Sequence, residues 1–399
     1  MIKKICVYTP YDLVPGGGER YLLTAAEYFL TQKYDVFLAL DEIYSRLRIK
    51  QMERDLGLLL EGLNITTYNT YKKSGAAAFN NNKNKNEAKN EAKADFDIFM
   101  AMGNSIVPPV LPLGSYNIYI CQFPFPQEES WIEENTPSLG KYDKVIVYSN
   151  FVLNNYKKLS KKYALPDIPI EVVYPPCGDA DVNIANQNDK LNKKINDKVI
   201  ILTVGRFFTE GHCKRQDFLI ESFIEMTDKY SLKNVELHIA GSIHPTKDGR
   251  DFFASLQKMA GGRKNIFLYG NIEAQALQEL YERADIYWHA AGINVNSAEH
   301  PEMLEHFGIT IVEAMSSGCI PVVINKGGPA EIVRDGIDGY CFNSKDELIE
   351  YTLRLINLLK TKTDDKSEIA SLINHSIERS LDFTKDKFYE RLSEIILNQ

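Results

Sequence analysis

Residues 302–333 read EMLEHFGITIVEAMSSGCIPVVINKGGPAEIV. Glu305 and Glu313 stand eight positions apart in this stretch, with Gly308 between them. A glycine lets the backbone approach a ligand closely, and the run Ile309–Ser317 that follows has the apolar spacing of a helix. Free N–H groups at the start of a helix favour an anion, so the stretch predicts a phosphate site.

The same stretch continues into a predicted strand. Gly318 is placed to end the helix, and the apolar run Ile320–Ile324 is typical of a buried strand. The turn Asn325–Pro329 follows at the carboxyl end of that strand. Helix, strand and loop in this order predict half of a βαβ unit in a parallel sheet.

The start of the chain shows the same pattern. Lys3–Thr9 is a predicted strand, residues 15–18 (Pro-Gly-Gly-Gly) a turn, and Glu19–Leu30 a helix. Strands and helices go on alternating along the chain, which predicts an α/β fold with doubly wound parallel sheets. The further predicted strands are residues 35–40, 64–68, 96–101, 117–122, 144–148, 170–174, 198–205, 235–240, 266–269 and 286–289.

A length of 399 residues favours two domains over one core. The polar, low-complexity residues 72–94 are predicted to be a mobile surface insert without chemistry. The predicted division is an N-terminal domain at 1–178, a linker at 179–197, a C-terminal domain at 198–380 and a C-terminal helical segment at 381–399.

The composition is that of a globular protein, with 44% hydrophobic and 25% charged residues. A net charge of -8 argues against a general nucleic-acid binder. The six cysteines include no Cys-x-x-Cys pair and are predicted to be reduced, as in a cytoplasmic protein. Neither a signal peptide nor a membrane span is expected.

The motifs together resemble glycosyltransferase family 4. The resemblance rests on Glu305 and Glu313 around Gly308, and on a Gly-Arg turn at 205–206 with Lys214 downstream. It also rests on residues 17–20 (Gly-Gly-Glu-Arg), which match the Gly-Gly-x-Glu-Arg loop common in the family. It implies the GT-B fold, two Rossmann-like domains that face each other across a cleft, and a retaining transfer of a hexose from a nucleotide sugar. The motif wording is most similar to that of lipid-linked mannosyltransferases, which favours GDP-mannose over a UDP-sugar as donor.

The resemblance also implies roles for individual residues. The catalytic set would be Glu305, Arg206 and Lys214, since fixed cations must neutralise a departing diphosphate. The nucleotide sugar would be bound by Glu313, Phe307, Gly308, Ile309, Gly17, Gly18 and Gly205. Contacts to acceptor or sugar would come from Gln122, Glu19 and Arg20. Many family members have a histidine where this chain has Gln122, and an amide cannot take over a charged role.

No metal or cofactor is expected, because the nucleotide sugar is a substrate and a cation pair can bind its diphosphate. His289, His300 and His306 lie close in sequence without the spacing of a zinc motif. The expected acceptor is a saccharide or a lipid-linked saccharide in glycan or cell-surface polysaccharide synthesis.

Two other functions stay open at this stage. A sugar-nucleotide epimerase can share the same two-domain architecture, and the Gln122 departure also allows a catalytically silent nucleotide-sugar-binding module. Four lysines at 157, 158, 161 and 162 lie on one flank of a predicted helix. They indicate either a solvated helix face or a peripheral contact with the cytoplasmic face of a membrane.

Overall fold

The structure, a computed structural model, describes residues 2–42, 44–71, 94–177, 198–211, 213–360 and 367–397. Nearly all of the predicted insert, residues 72–93, and the whole predicted linker, 179–197, lie outside the described residues. The chain divides into two compact units. The first contains Met1–Pro176 together with Phe388–Gln399, and the second contains Cys177–Lys387.

The first unit is built on a seven-stranded sheet in the order β3-β2-β1-β4-β5-β6-β7, and every strand pairing in it is parallel. Its strands are β1 Lys4–Tyr8, β2 Asp35–Leu40, β3 Asn64–Thr67, β4 Phe96–Gly103, β5 Gly114–Cys121, β6 Lys144–Val147 and β7 Ile170–Val172. Its helices are α1 Gly17–Thr31, α2 Arg46–Leu56, α3 Glu129–Leu139 and α4 Asn150–Lys162. The central strands are apolar on both faces, as expected where helices cover both sides of a parallel sheet.

The second unit has a six-stranded parallel sheet in the order β10-β9-β8-β11-β12-β13. Its strands are β8 Val199–Val204, β9 Val235–Gly241, β10 Ile266–Gly270, β11 Ile286–His289, β12 Ile320–Ile324 and β13 Tyr340–Phe342. Its helices are α5 Gln216–Lys229, α6 Lys247–Ala260, α7 Ala274–Arg283, α8 Ile309–Ser316, α9 Pro329–Ile332, α10 Lys345–Lys360 and α11 Ser367–Ser380. The strand order reverses between β8 and β11, which is the arrangement of a doubly wound sheet. The predicted fold class, two Rossmann-like parallel-sheet domains, is confirmed.

The last helix, α12 (Lys385–Leu397), supplies apolar side chains to the core of the first unit. Phe388, Leu392 and Ile395 are buried there, and the Phe388 ring meets the Tyr21 ring edge-on with centroids 4.9 Å apart. The Tyr389 hydroxyl donates a hydrogen bond to Glu27 at 2.8 Å. The first core is therefore closed by residues far away in sequence.

Among the described residues, no helix combines the length and the apolar composition needed to cross a membrane.

Two leucines of α12 allow a matched test of this packing. Leu392 is fully buried, whereas Leu397 is 79% exposed. Leu392→Ala should lower the free energy of unfolding of the first unit by about 2 to 5 kcal/mol, because it leaves a cavity in the core. Leu397→Ala should change it by less than about 0.5 kcal/mol. Urea unfolding followed by tyrosine fluorescence measures both. Equal effects of the two variants would show that α12 does not complete this core.

Candidate functional site

The candidate site lies where the strand order of the second sheet reverses. Strands β8 and β11 are neighbours there and end at Val204 and His289. Ligands of doubly wound sheets bind outside the carboxyl ends of the strands at such a point. Lys214 contacts Glu305 at this edge. The lysine comes from the loop between β8 and α5, and the glutamate comes from the segment before α8.

Lys214 and Glu305 form an ion pair that is largely shielded from water. The lysine ammonium contacts Oε2 of the glutamate, and the two side chains are only 14% and 13% exposed. Nε2 of the buried His289 lies 3.1 Å from the same oxygen. An ionised carboxylate can only accept hydrogen bonds, so Nε2 carries the hydrogen and donates it.

The path of Lys214 depends on Gly205. A Cβ atom at Gly205 would lie 2.6 Å from Cγ of Lys214, so any larger residue would push the lysine stem away. Gln216 holds the turn itself, because its buried side-chain amide donates to the carbonyl oxygens of Gly205 at 3.3 Å and Arg206 at 3.2 Å. Strand β8, this turn and the start of α5 thus position the cation together.

The segment before α8 is held by two glycines. Gly308 has φ +120° and ψ 58°, a conformation that L side chains rarely adopt, and it directly precedes Ile309, the first helical residue. The N–H of Gly328 donates to the carbonyl of Glu305 at 2.8 Å, and a Cβ there would lie 2.2 Å from the Phe307 carbonyl oxygen. The Phe307 ring is buried against Phe383, with ring centroids 5.4 Å apart.

Glu313 lies in the second turn of α8 and is oriented by an aromatic neighbour. The Tyr281 hydroxyl donates a hydrogen bond to its Oε2 at 3.0 Å. Burial, and then the Glu313 charge, raise the pKa of Tyr281 well above its ordinary value, which keeps this hydroxyl protonated. The neighbouring Tyr287 donates in the same way to Thr310 Oγ1 at 2.8 Å, in the first turn of α8.

Both histidines of the site are uncharged near neutral pH. Burial lowers the pKa of His289 below its ordinary value, and the Lys214 charge acts in the same direction. Burial lowers the pKa of His306 to about 4, with Lys214 again adding to the shift. Within the described part of the chain, no three His, Cys, Asp or Glu side chains are grouped so that they could hold a metal ion.

Arg206 is not part of this cluster. Its side chain is exposed, and its guanidinium carbon lies 5.3 Å from the centroid of the Phe208 ring. The turn carries it at the carboxyl end of β8, and it forms no ion pair with any residue that the structure describes.

The residues predicted in the first unit also lie at the carboxyl ends of strands. Gly17 begins α1, which follows β1, and Arg20 donates its N–H to the carbonyl of Gly16 at 3.0 Å. Gln122 directly follows β5, and a Cβ at Gly18 would lie 2.8 Å from its side-chain nitrogen. Glu19 lies in the first turn of α1. The structure thus brings Gly18 and Gln122 together, although about a hundred residues separate them in sequence.

Three residues of the second-unit site were not predicted as functional: His289, Tyr281 and Gln216. The positions of two of them carried a usable signal, since His289 ends a strand at the carboxyl edge and Gln216 begins the helix after the Gly205 turn. Tyr281 could not be found in this way, because its contact with Glu313 joins two helices.

Comparison with known proteins finds a family match within the second unit. Residues 185–369 match the family model of the glycosyl transferases group 1. The chain is 26% identical over 236 residues to the GPI3 subunit of phosphatidylinositol N-acetylglucosaminyltransferase from Saccharomyces cerevisiae, covering 58% of this chain and 47% of the relative. It is 29% identical over 210 residues to the GDP-Man:Man(3)GlcNAc(2)-PP-Dol alpha-1,2-mannosyltransferase of Caenorhabditis elegans, covering 50% and 42%. The chain thus spans less than half of the length of these two relatives.

A solved structure is similar over the whole chain. Anabaena HepE in complex with UDP superposes with a TM-score of 0.67 at 14% identity, covering 99% of this chain and all of that one. At this identity the likeness shows the fold. The family match and the two relatives confirm the predicted resemblance to glycosyltransferases.

The buried ion pair allows a stability test. Lys214→Met leaves the Glu305 charge buried without its cation, so the free energy of unfolding should fall by about 3 kcal/mol. Lys345 is the control, because it pairs with Glu225 at 3.1 Å while the two side chains are 37% and 45% exposed. Lys345→Met should cost less than about 1 kcal/mol. Chemical denaturation measures both variants. If the two losses are equal, the Lys214–Glu305 pair is not buried in solution.

Proposed function

We propose that this chain is a retaining hexosyltransferase. It moves a hexose from a nucleotide diphosphate sugar to a saccharide or lipid-linked saccharide acceptor. The observation that carries the proposal is the Glu305 carboxylate, held by Lys214 and His289 at the strand-order reversal and followed by the start of α8, where Gly308 gives no side-chain cap. It lies inside the region that matches the glycosyl transferases group 1.

GDP-mannose is the favoured donor and a UDP-sugar is the next candidate. The C. elegans relative is named for GDP-mannose and a dolichol-linked acceptor, and the yeast relative is named for phosphatidylinositol. Both names point to an acceptor carried on a lipid. Anabaena HepE was solved with UDP, which supports a nucleotide diphosphate in this fold.

The second-unit residues have the groups that such a transfer needs. The bond between the anomeric carbon and the diphosphate oxygen breaks, and negative charge builds up on the leaving nucleoside diphosphate. Lys214 and Arg206 neutralise that charge, assisted by the N–H groups of Gly308 and Ile309 at the start of α8. Glu305 accepts hydrogen bonds from the sugar hydroxyls, and Glu313 accepts them from the ribose.

We assign retention to attack on the same face of the sugar. The acceptor hydroxyl oxygen forms the new bond to the anomeric carbon on the side that the diphosphate leaves, and its proton passes to the departing phosphate oxygen. No protein nucleophile and no divalent metal is needed for this step. We assign Gly17, Gly18 and Gly205 to the nucleotide sugar, and Gln122, Glu19 and Arg20 to the acceptor or sugar.

The donor assignment is tested by thermal shift against GDP, UDP, ADP and their sugars. A ligand that binds only the folded protein raises the melting temperature, by the equivalent of about 2.7 kcal/mol at a hundred times its Kd. We expect GDP and GDP-mannose to give the largest shift, and transfer to a lipid-linked acceptor in the presence of EDTA to continue. The product anomer should keep the donor's configuration by NMR.

Three outcomes contradict parts of this proposal. Loss of turnover in EDTA would show that a metal binds the diphosphate. Conversion of the free nucleotide sugar without an acceptor would favour an epimerase. Binding of a nucleotide sugar without transfer to any of a series of lipid-linked and free saccharides would favour a silent binding module.

Replacement of the two glutamates should affect different quantities, kcat for Glu305 and nucleotide affinity for Glu313. Glu305→Gln keeps the shape of the side chain but weakens contacts to the sugar, so it should reduce kcat far more than affinity for the bare nucleotide. Glu313→Gln should weaken nucleotide affinity by about tenfold or more, because a hydrogen bond to a charged group contributes about 1.5 to 3 kcal/mol. Calorimetry and initial rates measure the two effects. The assigned roles are wrong if both variants lower nucleotide affinity equally and leave the transfer rate unchanged.

We also propose a peripheral membrane contact through α4. Its lysines at 157, 158, 161 and 162 are exposed. Lys157 and Lys161 line a cleft of about 640 Å³ that also contains the apolar residues Leu165 and Ile168. Cations beside apolar groups suit the surface of an anionic bilayer, to which each lysine adds about 1 kcal/mol.

Vesicle sedimentation tests the membrane contact. Replacement of the four α4 lysines by glutamine should abolish binding to vesicles that contain phosphatidylglycerol. The control replaces four exposed lysines of the second unit, Lys233, Lys247, Lys258 and Lys264. If both variants bind the vesicles equally well, the membrane contact does not depend on the α4 lysines. If neither variant binds them, the effect is not specific to α4.

A further inference from the structure

His289 is a buried titratable residue to which the proposed transfer assigns no step. It lies at the end of β11 and is 2% exposed, and its Nε2 lies 3.1 Å from Oε2 of Glu305. The other ring nitrogen, Nδ1, is also buried and has no hydrogen-bond partner among the described residues. Of the two ring nitrogens, only Nε2 has a hydrogen-bond partner among the described residues. The ring is therefore suited to donate one hydrogen bond, to Glu305.

Two donors share one oxygen of Glu305. The Lys214 ammonium and the His289 Nε2–H both contact Oε2. Lys214 is also the cation proposed to bind the donor's diphosphate. When the donor binds, at least one N–H group of the ammonium must therefore leave the Glu305 carboxylate and donate to the phosphate. That movement takes a charged donor away from a largely buried carboxylate oxygen, which is costly, whereas the His289 Nε2–H stays on the same oxygen.

We infer that His289 is a positioning residue, whose neutral Nε2–H keeps the Glu305 carboxylate in place when Lys214 turns to the diphosphate. The inference rests on the proposed function and deepens it. An uncharged donor suits this position because a second cation would compete with Lys214 for the carboxylate and repel it. The donation from His289 leaves the net charge of the Lys214–Glu305 pair unchanged.

The charged and titratable groups around the ring agree with a neutral imidazole. Lys214 faces it from the loop before α5 and disfavours a second positive charge, whereas Glu305, from the segment before α8, favours one. His306 and Tyr287 also adjoin the Glu305 carboxylate, and burial keeps both uncharged near neutral pH. Burial and Lys214 outweigh Glu305, so the pKa of His289 lies below 6.5.

NMR of the wild-type protein with ¹⁵N-labelled histidine tests the inference without any activity assay. The cross-peaks of His289 are assigned by their absence in His289→Gln. We expect the Nε2–H tautomer and a titration midpoint below 6.5, and we expect Glu305→Gln to move that midpoint to lower pH because it removes the one charge that favours imidazolium. The Nδ1–H tautomer, a midpoint at or above 6.5, or no response to Glu305→Gln overturns the inference.

Kinetics then separate positioning from a purely structural role. His289→Leu should lower kcat by about tenfold or more while the KM for the donor changes less than about threefold, since a hydrogen bond to a charged group is lost mainly after Lys214 has turned. His289→Gln keeps an N–H donor and should recover most of the loss. His300→Gln is the control, because that imidazole is 57% exposed and contacts Glu302. Equal losses in the Gln and Leu variants, or an unchanged kcat in both, would overturn the positioning role.

The two kinds of result distinguish the two proposals. If no donor supports transfer but the NMR results are as expected, the proposed function fails while the Glu305–His289 contact remains. If transfer is observed and the tautomer is Nδ1–H, the proposed function holds and the role of His289 fails.

Discussion

The second unit depends on one constraint, which is that a carboxylate removed from water needs partners. Glu305 is only 13% exposed, and an unpaired charge at that depth would cost several kcal/mol. Two of its partners come from different parts of the sheet: Lys214 from the loop after β8, and His289 from the end of β11. The neighbouring strands are therefore joined at their carboxyl ends through a side chain that belongs to neither of them.

Glycines allow these segments to approach closely, because a glycine has no Cβ atom to collide with a neighbouring backbone or side chain. At Gly205 a Cβ would overlap the stem of Lys214, and at Gly328 it would overlap the backbone of Phe307. Each glycine therefore decides how close a charged or ligand-facing group comes to the carboxyl edge of the sheet. Gly205 affects the position of the cation that pairs with Glu305, and Gly328 affects the position of the chain segment that carries Glu305.

The sequence contained the elements of the site but not all of its contacts. The strand Ile320–Ile324 and the helix that begins at Ile309 were predicted correctly, because an apolar run and a Gly boundary are local signals. Lys214 and Glu305 were predicted as members of one site through the family resemblance, and the structure adds that they contact each other. Tyr281 and His289 were not predicted as functional, since their roles come from pairings between elements that no local pattern encodes. The C-terminal domain was predicted to end at residue 380, and the compact second unit ends at Lys387.

The two glutamates of the motif differ in their partners, and the difference matches their proposed tasks. Glu313 is oriented by the Tyr281 hydroxyl, a neutral donor. Glu305 has a neutral donor of the same kind in His289, but it also has the cation Lys214. A group that must bind a ribose before any bond breaks needs only a fixed orientation. Glu305 shares Lys214 with the leaving diphosphate, so its carboxylate needs a second donor that keeps it oriented when Lys214 moves. A neutral second donor provides this, which explains why a histidine with a lowered pKa, and not another lysine or arginine, lies at the end of β11.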